Sequence, residues 1–237
     1  MVSSERIIAF SNLSPEAPLS MNIDVGYDSW PRNGSIEFDD VTVRYRDNLP
    51  PSLNGISFCI NGGERVGVVG RTGSGKSTLI QALFRLLEAE GGVVRVDGVD
   101  ISTLGLLKVR TGMSVIPQSP VLFSGCSVKE NLDPFGKYDD DAVMNALKDV
   151  QMMEVIRELP NELDSVISEG GSNFSVGQRQ LLCLARAILR KSKVLVLDEP
   201  TANVDTRTDQ LLQEAVAKTF QGSTILAVAH RKFLASY

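Results

Sequence analysis

The sequence predicts an α/β protein with a mostly parallel sheet. Four strand-length apolar segments each run directly into glycine or polar residues, and they cover residues 65–69, 113–116, 194–197 and 224–229. Near-continuous apolar strands are typical of a parallel sheet that is covered on both faces. In open α/β sheets, ligands bind beyond the carboxyl ends of the strands, so we expect the four polar ends to meet in one crevice.

Other segments predict an antiparallel β subdomain near the N-terminus. Apolar residues from Ile36 to Tyr45 read as a strand with a break at Asp39 and Asp40, and residues 56–60 alternate as a second strand. Asp97-Gly98 lies between two short apolar runs. That dipeptide suits the positive φ angles of a tight turn, which predicts a hairpin.

Helical patterns indicate how the rest of the chain is divided. We expect a helix from Lys76 to Leu87, and we expect a helical subdomain of about residues 121–193 to be inserted into the α/β part. Residues 1–34 lack a sustained period and are predicted to be a linker, so ordered structure is expected to begin at Ser35. Residues 35–237 then form one domain. The helices expected in the insertion are Asp141–Val150, Met152–Leu159 and Val176–Lys191.

Composition excludes several classes of function. Of 237 residues, 43% are hydrophobic and 22% are charged, which is ordinary for a globular protein. A net charge of -5 argues against a nucleic-acid partner held by bulk electrostatics. Three scattered cysteines predict reduced, buried thiols rather than a disulfide framework. No apolar run approaches the roughly 20 residues that cross a bilayer, and no signal peptide is expected.

A phosphate-binding loop follows the first of the four apolar segments. Residues 70–77 match G-x-x-x-x-G-K-S, in which backbone N–H groups wrap phosphate oxygens and the next helix adds its dipole. A chance glycine turn is the alternative, but the strand before it and the amphipathic helix after it favour a P-loop NTPase core. The residues predicted to contact the nucleotide here are Gly70, Thr72, Gly73, Ser74, Gly75, Lys76, Ser77 and Thr78, with Ser77 also on Mg²⁺.

Two carboxylates follow the strand at residues 194–197. Asp198 is expected to hold Mg²⁺, and Glu199 to polarise the attacking water beside a γ-phosphate. A solvated acidic turn is the alternative. Downstream of a phosphate loop and a helical insertion, the catalytic interpretation is preferred.

Two further polar side chains, Gln118 and His230, end strands that point to the same crevice, and Tyr45 ends an early strand. Gln118 could contact Mg²⁺ or the water, although a glutamine after a proline is by itself an ordinary loop residue. His230 is predicted to contact the γ-phosphate, while a lone histidine is more often structural. Tyr45 could stack on adenine, and an unremarkable strand tyrosine is the alternative.

A possible second anion site begins the long helix. Ser175 is first of all an N-cap residue, and the same geometry can bind an anion. Gly177 would allow a phosphate to approach closely, and Gln178 completes the Ser-Val-Gly-Gln sequence.

This set of motifs resembles the ATP-binding cassette family over about residues 35–231. Ser175–Gln178 is similar to its signature motif, Gln118 to its Q-loop glutamine, 201–205 to its D-loop, His230 to its switch histidine and Tyr45 to its aromatic loop. Phe174 departs from the leucine that is usual before the signature serine.

Finer features resemble the second cassette of the multidrug-resistance-associated subfamily C. They are residues 117–125, Asn131–Phe135 and Ser175–Arg186, together with a linker-like piece at residues 5–18 and the presence of Glu199. Residues 232–237 do not resemble the family's continuation, which leads us to expect a chain that is C-terminally incomplete.

The resemblance implies an ATPase that works in a head-to-tail pair of cassettes. ATP and Mg²⁺ would be bound between the two cassettes, and their closure would drive transmembrane export. The implied partners are a second cassette and transmembrane domains outside this chain, which would hold it at the cytoplasmic face of a membrane. Two alternatives remain: a module that binds ATP without turnover, and a soluble cassette without a membrane partner. Ser175–Gln178 argues against any other P-loop enzyme, such as a small-molecule kinase.

Overall fold

A computed structural model of the chain describes residues 2–13, 15–199 and 204–229. Within them the chain forms two four-stranded sheets and eight α-helices. The strands are β1 Ile36–Val43, β2 Leu53–Ile60, β3 Arg65–Val69, β4 Gly91–Val96, β5 Val99–Asp100, β6 Ser114–Ile116, β7 Val194–Asp198 and β8 Thr224–Ala229. The helices are α1 Val2–Ser11, α2 Lys76–Leu83, α3 Leu106–Gly112, α4 Val128–Leu132, α5 Asp140–Asp149, α6 Met153–Arg157, α7 Val176–Arg190 and α8 Thr206–Thr219.

The predicted parallel sheet is confirmed. Its order is β3-β8-β7-β6, and all three neighbouring pairs run parallel. Along β7, alternate residues enter two different hydrophobic cores: Leu195 and Leu197 face one, and Val194 and Val196 face the other. Burial on both faces explains why this segment is continuously apolar rather than alternating.

Strand β3 departs from the expected burial on both faces. In the described part of the chain it pairs only with β8 and lies at one end of the sheet order. Its residues are half-buried or exposed, and Val69 keeps 48% of its surface in solvent. This apolar run therefore belongs to an edge strand of the described sheet and not to a central one.

The antiparallel sheet has the order β2-β1-β4-β5. Its predicted break appears as a register shift between Phe38 and Val41, with Asp40 at a φ of 51°. The chain continues through this bulge as one strand, so the break does not end it. The predicted hairpin is confirmed, with Asp97 and Gly98 at φ angles of 52° and 74° in the turn between β4 and β5.

The two hydrophobic cores lie on opposite faces of the parallel sheet. One packs helices α4 to α8 against β6, β7 and β8, and the other packs the antiparallel sheet with α2 and α3 against β7 and β8. Helices α4 to α7 fall between β6 and β7 in the chain, where helices were expected. Helices α1, α3, α4 and α8 were not predicted.

Helix α2 ends at Leu83, so the predicted extension to Leu87 is wrong. Arg85 takes a φ of 50°, which turns the chain away from the helix axis. Its buried guanidinium donates to the carbonyls of Ile101 and Leu104 at 2.9 and 2.7 Å, and these contacts hold the turn. Helix α7 matches its prediction and ends where Lys191 adopts the left-handed C-cap conformation.

Ordered structure begins before Ser35, contrary to expectation. Trp30 is buried and donates its Nε1–H to the carbonyl of Val96 at 2.9 Å. Asp24 accepts from the N–H of Gly105 at 2.9 Å, and Glu16 pairs with Arg110 at 2.8 Å. Contacts of polar and aromatic side chains thus hold residues 16–30 against the domain, although this segment has no hydrophobic period of its own. Within the described ranges, no helix has both the length and the apolarity needed to span a bilayer.

The cysteines are only partly as predicted. All three are unpaired thiols, but Cys59 is exposed and Cys126 is half-buried, and only Cys183 is buried. Cys59 lies on the outward face of β2, which explains its exposure. Burial raises the pKa of the Cys183 thiol, so this thiol stays protonated at neutral pH.

Candidate functional site

The phosphate loop connects β3 to α2. Gly73 and Gly75 take φ angles of 80° and 92°, a region that glycine enters without steric cost. At Gly75 the backbone is also crowded, because an added Cβ would lie 2.8 Å from the carbonyl oxygen of Ser52. The glycine is therefore required twice, for its angle and for its lack of a side chain.

Lys76 begins α2 and folds back across the loop. Its Nζ donates to the carbonyl oxygens of Gly70 at 2.9 Å and of Arg71 at 3.2 Å. The ammonium group is thus held over the loop where a nucleotide's phosphates would lie. Thr72, Ser74 and Ser77 are exposed around it, as side chains that meet a ligand must be.

Tyr45 and Thr78 contact each other at the side of α2. The Tyr45 hydroxyl donates to Gln81 Oε1 at 2.8 Å and lies 3.1 Å from Thr78 Oγ1. Thr78 is buried, so its hydroxyl serves this contact, whereas 47% of Tyr45 is exposed. Tyr45 lies two residues beyond the end of β1 rather than in the strand. An exposed aromatic ring beside a phosphate loop is compatible with stacking on a base.

The two carboxylates lie at the carboxyl end of β7. Burial and the nearby charge of Glu199 raise the pKa of Asp198, and Lys76 opposes this rise. Asp198 is therefore close enough to both groups to feel their charge. Glu199 takes a φ of 45° and donates its backbone N–H to the carbonyl of Val228 at 3.0 Å. A left-handed glutamate is uncommon, and such strained residues cluster at functional sites.

One cavity of about 520 Å³ is bordered by the ends of three elements. Ser77 comes from α2, Pro117 from the residues after β6, and Asp198 from β7. The predicted convergence of strand ends on one crevice is therefore present for these residues. Gln118 is exposed beside Pro117 and does not itself line the cavity.

The start of α7 has the predicted cap. Ser175 Oγ accepts from the N–H of Gln178 at 3.1 Å, and Gln178 Oε1 accepts from the N–H of Ser175 at 2.9 Å. Ser175 remains exposed, and neither it nor Gln178 lines the cavity at Asp198. Gly177 is buried, and an added Cβ would lie 2.8 Å from the Thr208 side chain. Close packing of α7 on α8 is thus a second reason for this glycine.

Some predicted site residues lie outside the described residues. These are His230 and the D-loop residues 201–203. Asp205, which ends the D-loop, is described and caps α8 by accepting from the N–H of Arg207 and of Thr208 at 3.0 and 3.1 Å.

The donors around the cavity suit a hard cation. Asp198 offers carboxylate oxygens, Ser77 a hydroxyl and Gln118 an amide oxygen nearby. Among the described residues, no cluster of three or more His, Cys, Asp or Glu side chains could hold a metal by itself. Mg²⁺ commonly uses one or two protein oxygens together with substrate phosphates, and this donor set fits that pattern.

Sequence reasoning missed three residues that hold the site together. Gln180 and Arg186 of α7, with Asn131 of α4, make polar contacts to Pro117, Val121 and Phe123 of the segment after β6. A signal for Gln180 was available, since it lies in the buried apolar stripe of α7 where a hydrophobic residue is expected.

Fold and site together define a phosphate-loop nucleotide-binding protein. Residues 53–202 match the family model described as ABC transporter. The chain therefore belongs to the ABC transporter family, and its cassette is of the kind that binds ATP.

Several similar proteins are named as members of the C subfamily. The chain is 51% identical over 231 residues to "ABC transporter C family member 13" of Oryza sativa subsp. indica, covering 98% of this chain and 15% of that protein. It is 49% identical to "ATP-binding cassette sub-family C member 2" of Rattus norvegicus, again over 98% and 15%. It is 51% identical over 202 residues to "ABC transporter C family member 3" of Dictyostelium discoideum, with 85% and 14% covered. The chain thus spans about one seventh of these relatives' length.

Proposed function

We propose that this chain is the ATP-hydrolysing cassette of a C-subfamily ABC transporter. The observation that carries the proposal is the single cavity bordered by Ser77 of the phosphate-loop helix and by Asp198 at the end of β7. Such a cavity places a hydroxyl next to the phosphate loop beside a carboxylate that can bind a cation.

Lys76 and the loop glycines would bind the β- and γ-phosphates. The Lys76 ammonium already lies over the loop carbonyls, so it needs only to exchange them for phosphate oxygens. Backbone N–H groups at the start of α2 add their dipoles to this positive charge. Tyr45 would contact the adenine with its exposed ring.

Ser77, Asp198 and Gln118 would hold Mg²⁺. When bound, the ion neutralises charge that develops on the phosphate oxygens. Burial raises the pKa of Asp198, and the charge of Glu199 adds to this effect, so a cation next to Asp198 would relieve an unfavourable ionised state.

Glu199 would orient and polarise the attacking water. It neighbours Asp198 and is held at a positive φ by its backbone bond to Val228, which fixes its position beside the cavity. His230, the residue after β8, would contact the γ-phosphate.

The signature motif would serve a second nucleotide. Ser175 is exposed and Gln178 is half-buried, and neither lines the cavity at Asp198, which supports their use by ATP held on a partner cassette. A head-to-tail pair would then contain two ATP molecules. Gly177 would contribute backbone to the same surface.

The cassette would be joined to the rest of a transporter through its N-terminal segment. Residues 1–34 would connect it to a preceding transmembrane domain, and helices within residues 121–193 would form a helical subdomain. The relatives are several times longer than this chain and are named as transporters, which supports such a setting at the cytoplasmic face of a membrane.

Calorimetric titration of the chain with ATP, with and without Mg²⁺, tests the proposal. We expect wild-type binding to be tighter with Mg²⁺, and Lys76→Met to weaken it by at least about tenfold, because a charge-assisted hydrogen bond is lost. Lys148→Met is the matched control, since Lys148 is exposed on α5 away from the cavity. Equal binding by the Lys76 and Lys148 variants would contradict the assigned phosphate site.

A further inference from the structure

Gln180 is a buried polar residue that catalysis by the proposed groups does not directly use. It lies on α7, five residues after Ser175, and only 1% of it is exposed. Its Nε2 donates to the carbonyl oxygens of Pro117 at 3.0 Å and of Gln118 at 3.2 Å. One side chain therefore holds the backbone of Gln118 against the helix that begins at the signature motif.

The other end of the Gln180 amide is unsatisfied. Its Oε1 is buried and has no hydrogen-bond partner among the residues that the structure describes. The neighbours on α7 are apolar, including Leu181 and Leu184, so a hydrophobic residue would suit the position better for packing alone. A buried acceptor without a donor is unfavourable and requires an explanation.

A second polar contact fastens the same segment further along α7. Arg186 donates to the carbonyl of Asn131 and to the carbonyl of Val121, both at 2.6 Å, and to Asn131 Oδ1 at 2.8 Å. Asn131 in turn accepts from the N–H of Phe123 at 2.7 Å. The segment from residue 117 to residue 131 is thus tied to α7 at both of its ends.

We propose that Gln180 is a positioning residue that sets the place of Gln118 at the Mg²⁺ site and couples it to Ser175. The inference rests on the proposed function, since it assigns a second residue to the same nucleotide site. The two carbonyl contacts fix the backbone from which the Gln118 side chain extends. Because Ser175 caps the same helix, any movement of the signature motif relative to β7 carries Gln118 with it.

The test compares Gln180→Met with a matched control in the full chain. Methionine keeps the length of glutamine but cannot donate, so both carbonyls lose their donor. Leu184→Met places a methionine one turn along the same buried face, at a side chain that donates no hydrogen bond. Gln180→Asn keeps the amide but is one methylene shorter, and it replaces the methionine variant if that variant does not fold.

The first readout is backbone hydrogen exchange in the chain without nucleotide. We expect Gln180→Met to speed exchange at least tenfold in peptides covering residues 117–123, at the Phe123 N–H that is bonded to Asn131 Oδ1, while α5 and the C-terminal half of α7 stay protected. Leu184→Met is expected to leave residues 117–123 unchanged. Unchanged exchange in residues 117–123 of the Gln180 variant would overturn the proposal, whether or not the chain binds ATP.

The second readout is the ratio of ATP affinity with and without Mg²⁺. We expect Gln118→Ala to lower this ratio about tenfold, because Mg²⁺ loses one of the few protein oxygens that would hold it. Gln180→Met should lower it equally, leave Mg²⁺-free affinity unchanged, and add nothing when combined with Gln118→Ala. If Gln180→Met keeps the wild-type ratio of ATP affinity with and without Mg²⁺, the proposal is overturned. An absence of ATP binding by the wild-type chain would instead refute the proposed function, and hydrogen exchange would still decide the coupling.

Discussion

The phosphate loop shows how a single residue can be required for two separate reasons. Gly73 and Gly75 both have positive φ angles, but only Gly75 is also crowded, by the carbonyl oxygen of Ser52. The sequence motif names both glycines without distinguishing these demands. The difference between them is visible only when the neighbouring backbone is in place.

Alanine substitutions at the two glycines should separate angle from crowding. We expect Gly73→Ala to lower the free energy of unfolding by about 1 kcal/mol, the cost of a left-handed non-glycine residue. Gly75→Ala should cost about 3 kcal/mol and abolish ATP binding, because its Cβ collides with backbone. Urea unfolding measures both values. Equal losses would show that the contact with Ser52 relaxes freely.

At the scale of elements, α7 organises the site from one side. Ser175 caps the start of the helix and remains exposed. Gln180, in the first half of the helix, binds the backbone carbonyl of Gln118, and Arg186, in its last turns, binds Asn131. Each contact uses a polar side chain that is fixed on a rigid helix, which is how precise sites are usually supported.

Removal of the arginine contact should destabilise the chain strongly. Arg186→Ala leaves the carbonyls of Asn131 and Val121 without a donor, so we expect a loss of about 3 kcal/mol in the free energy of unfolding. Arg190→Ala, one turn later and exposed, should change it by less than about 0.5 kcal/mol. Similar losses for both variants, measured by urea unfolding, would mean that the contacts of Arg186 contribute little.

The cap of α7 offers a way to separate stability from nucleotide binding. Ser175→Ala removes the acceptor for Gln178 and should cost about 1 kcal/mol, whereas Ser175→Asp keeps a good N-cap. The aspartate would nevertheless repel a phosphate at this surface. We therefore expect the aspartate variant to melt at the same temperature as wild type but not to form ATP-dependent pairs. Light scattering measures the pairing. Retained pairing would contradict the role of Ser175.

Much of the architecture could be predicted, for identifiable physical reasons. β7 is buried on both faces and is a continuous apolar run, whereas α7 buries one long stripe with a helical period, and the predicted bounds of both were close. Helices α3 and α4 have 7 and 5 residues, too short to show a period. Strand β3 was expected to be covered on both faces like the other three, because apolar composition does not report how many neighbours a strand has.

The motifs of the site could be predicted from the sequence, but the residues that position them could not. Lys76, Asp198 and Ser175 belong to local patterns that a sequence displays directly. The contacts of Gln180 and Arg186 reach residues 63 and 55 positions away, so no local pattern can indicate them. Long-range hydrogen bonds depend on topology, which the sequence specifies only through the whole fold.

At the scale of the whole molecule, Asp97 joins the N-terminal segment to the antiparallel sheet. Its carboxylate accepts from the N–H groups of Arg32, Asn33 and Ser35 at 2.6, 2.9 and 2.8 Å. Burial acts to raise the pKa of Asp97, but these three donors outweigh it and hold the pKa below its ordinary value. The turn of the hairpin therefore anchors residues that precede the first strand.

This anchor predicts a pH-dependent contribution to stability. Because the folded pKa is lowered, the stabilisation is complete above the ordinary value of 3.8 and is lost as pH falls through the folded pKa. Asp97→Asn should cost about 1–2 kcal/mol at pH 7, since an amide cannot accept with both of its atoms. Below pH 3.8 the difference from wild type should shrink. A difference independent of pH, in urea unfolding, would contradict the ionised role.

Single-turnover phosphate release is the most direct test of the whole site. The chain, at a concentration that favours pairing and with excess Mg²⁺ and bound ATP, is compared with Glu199→Gln. We predict that the wild-type chain releases phosphate, while Glu199→Gln binds ATP equally well and releases phosphate about 100-fold or more slowly, as expected for a lost general base. Bound ATP without phosphate release by the wild-type chain, or equal rates in both, would contradict hydrolysis by this cassette and favour a module that holds ATP without turnover.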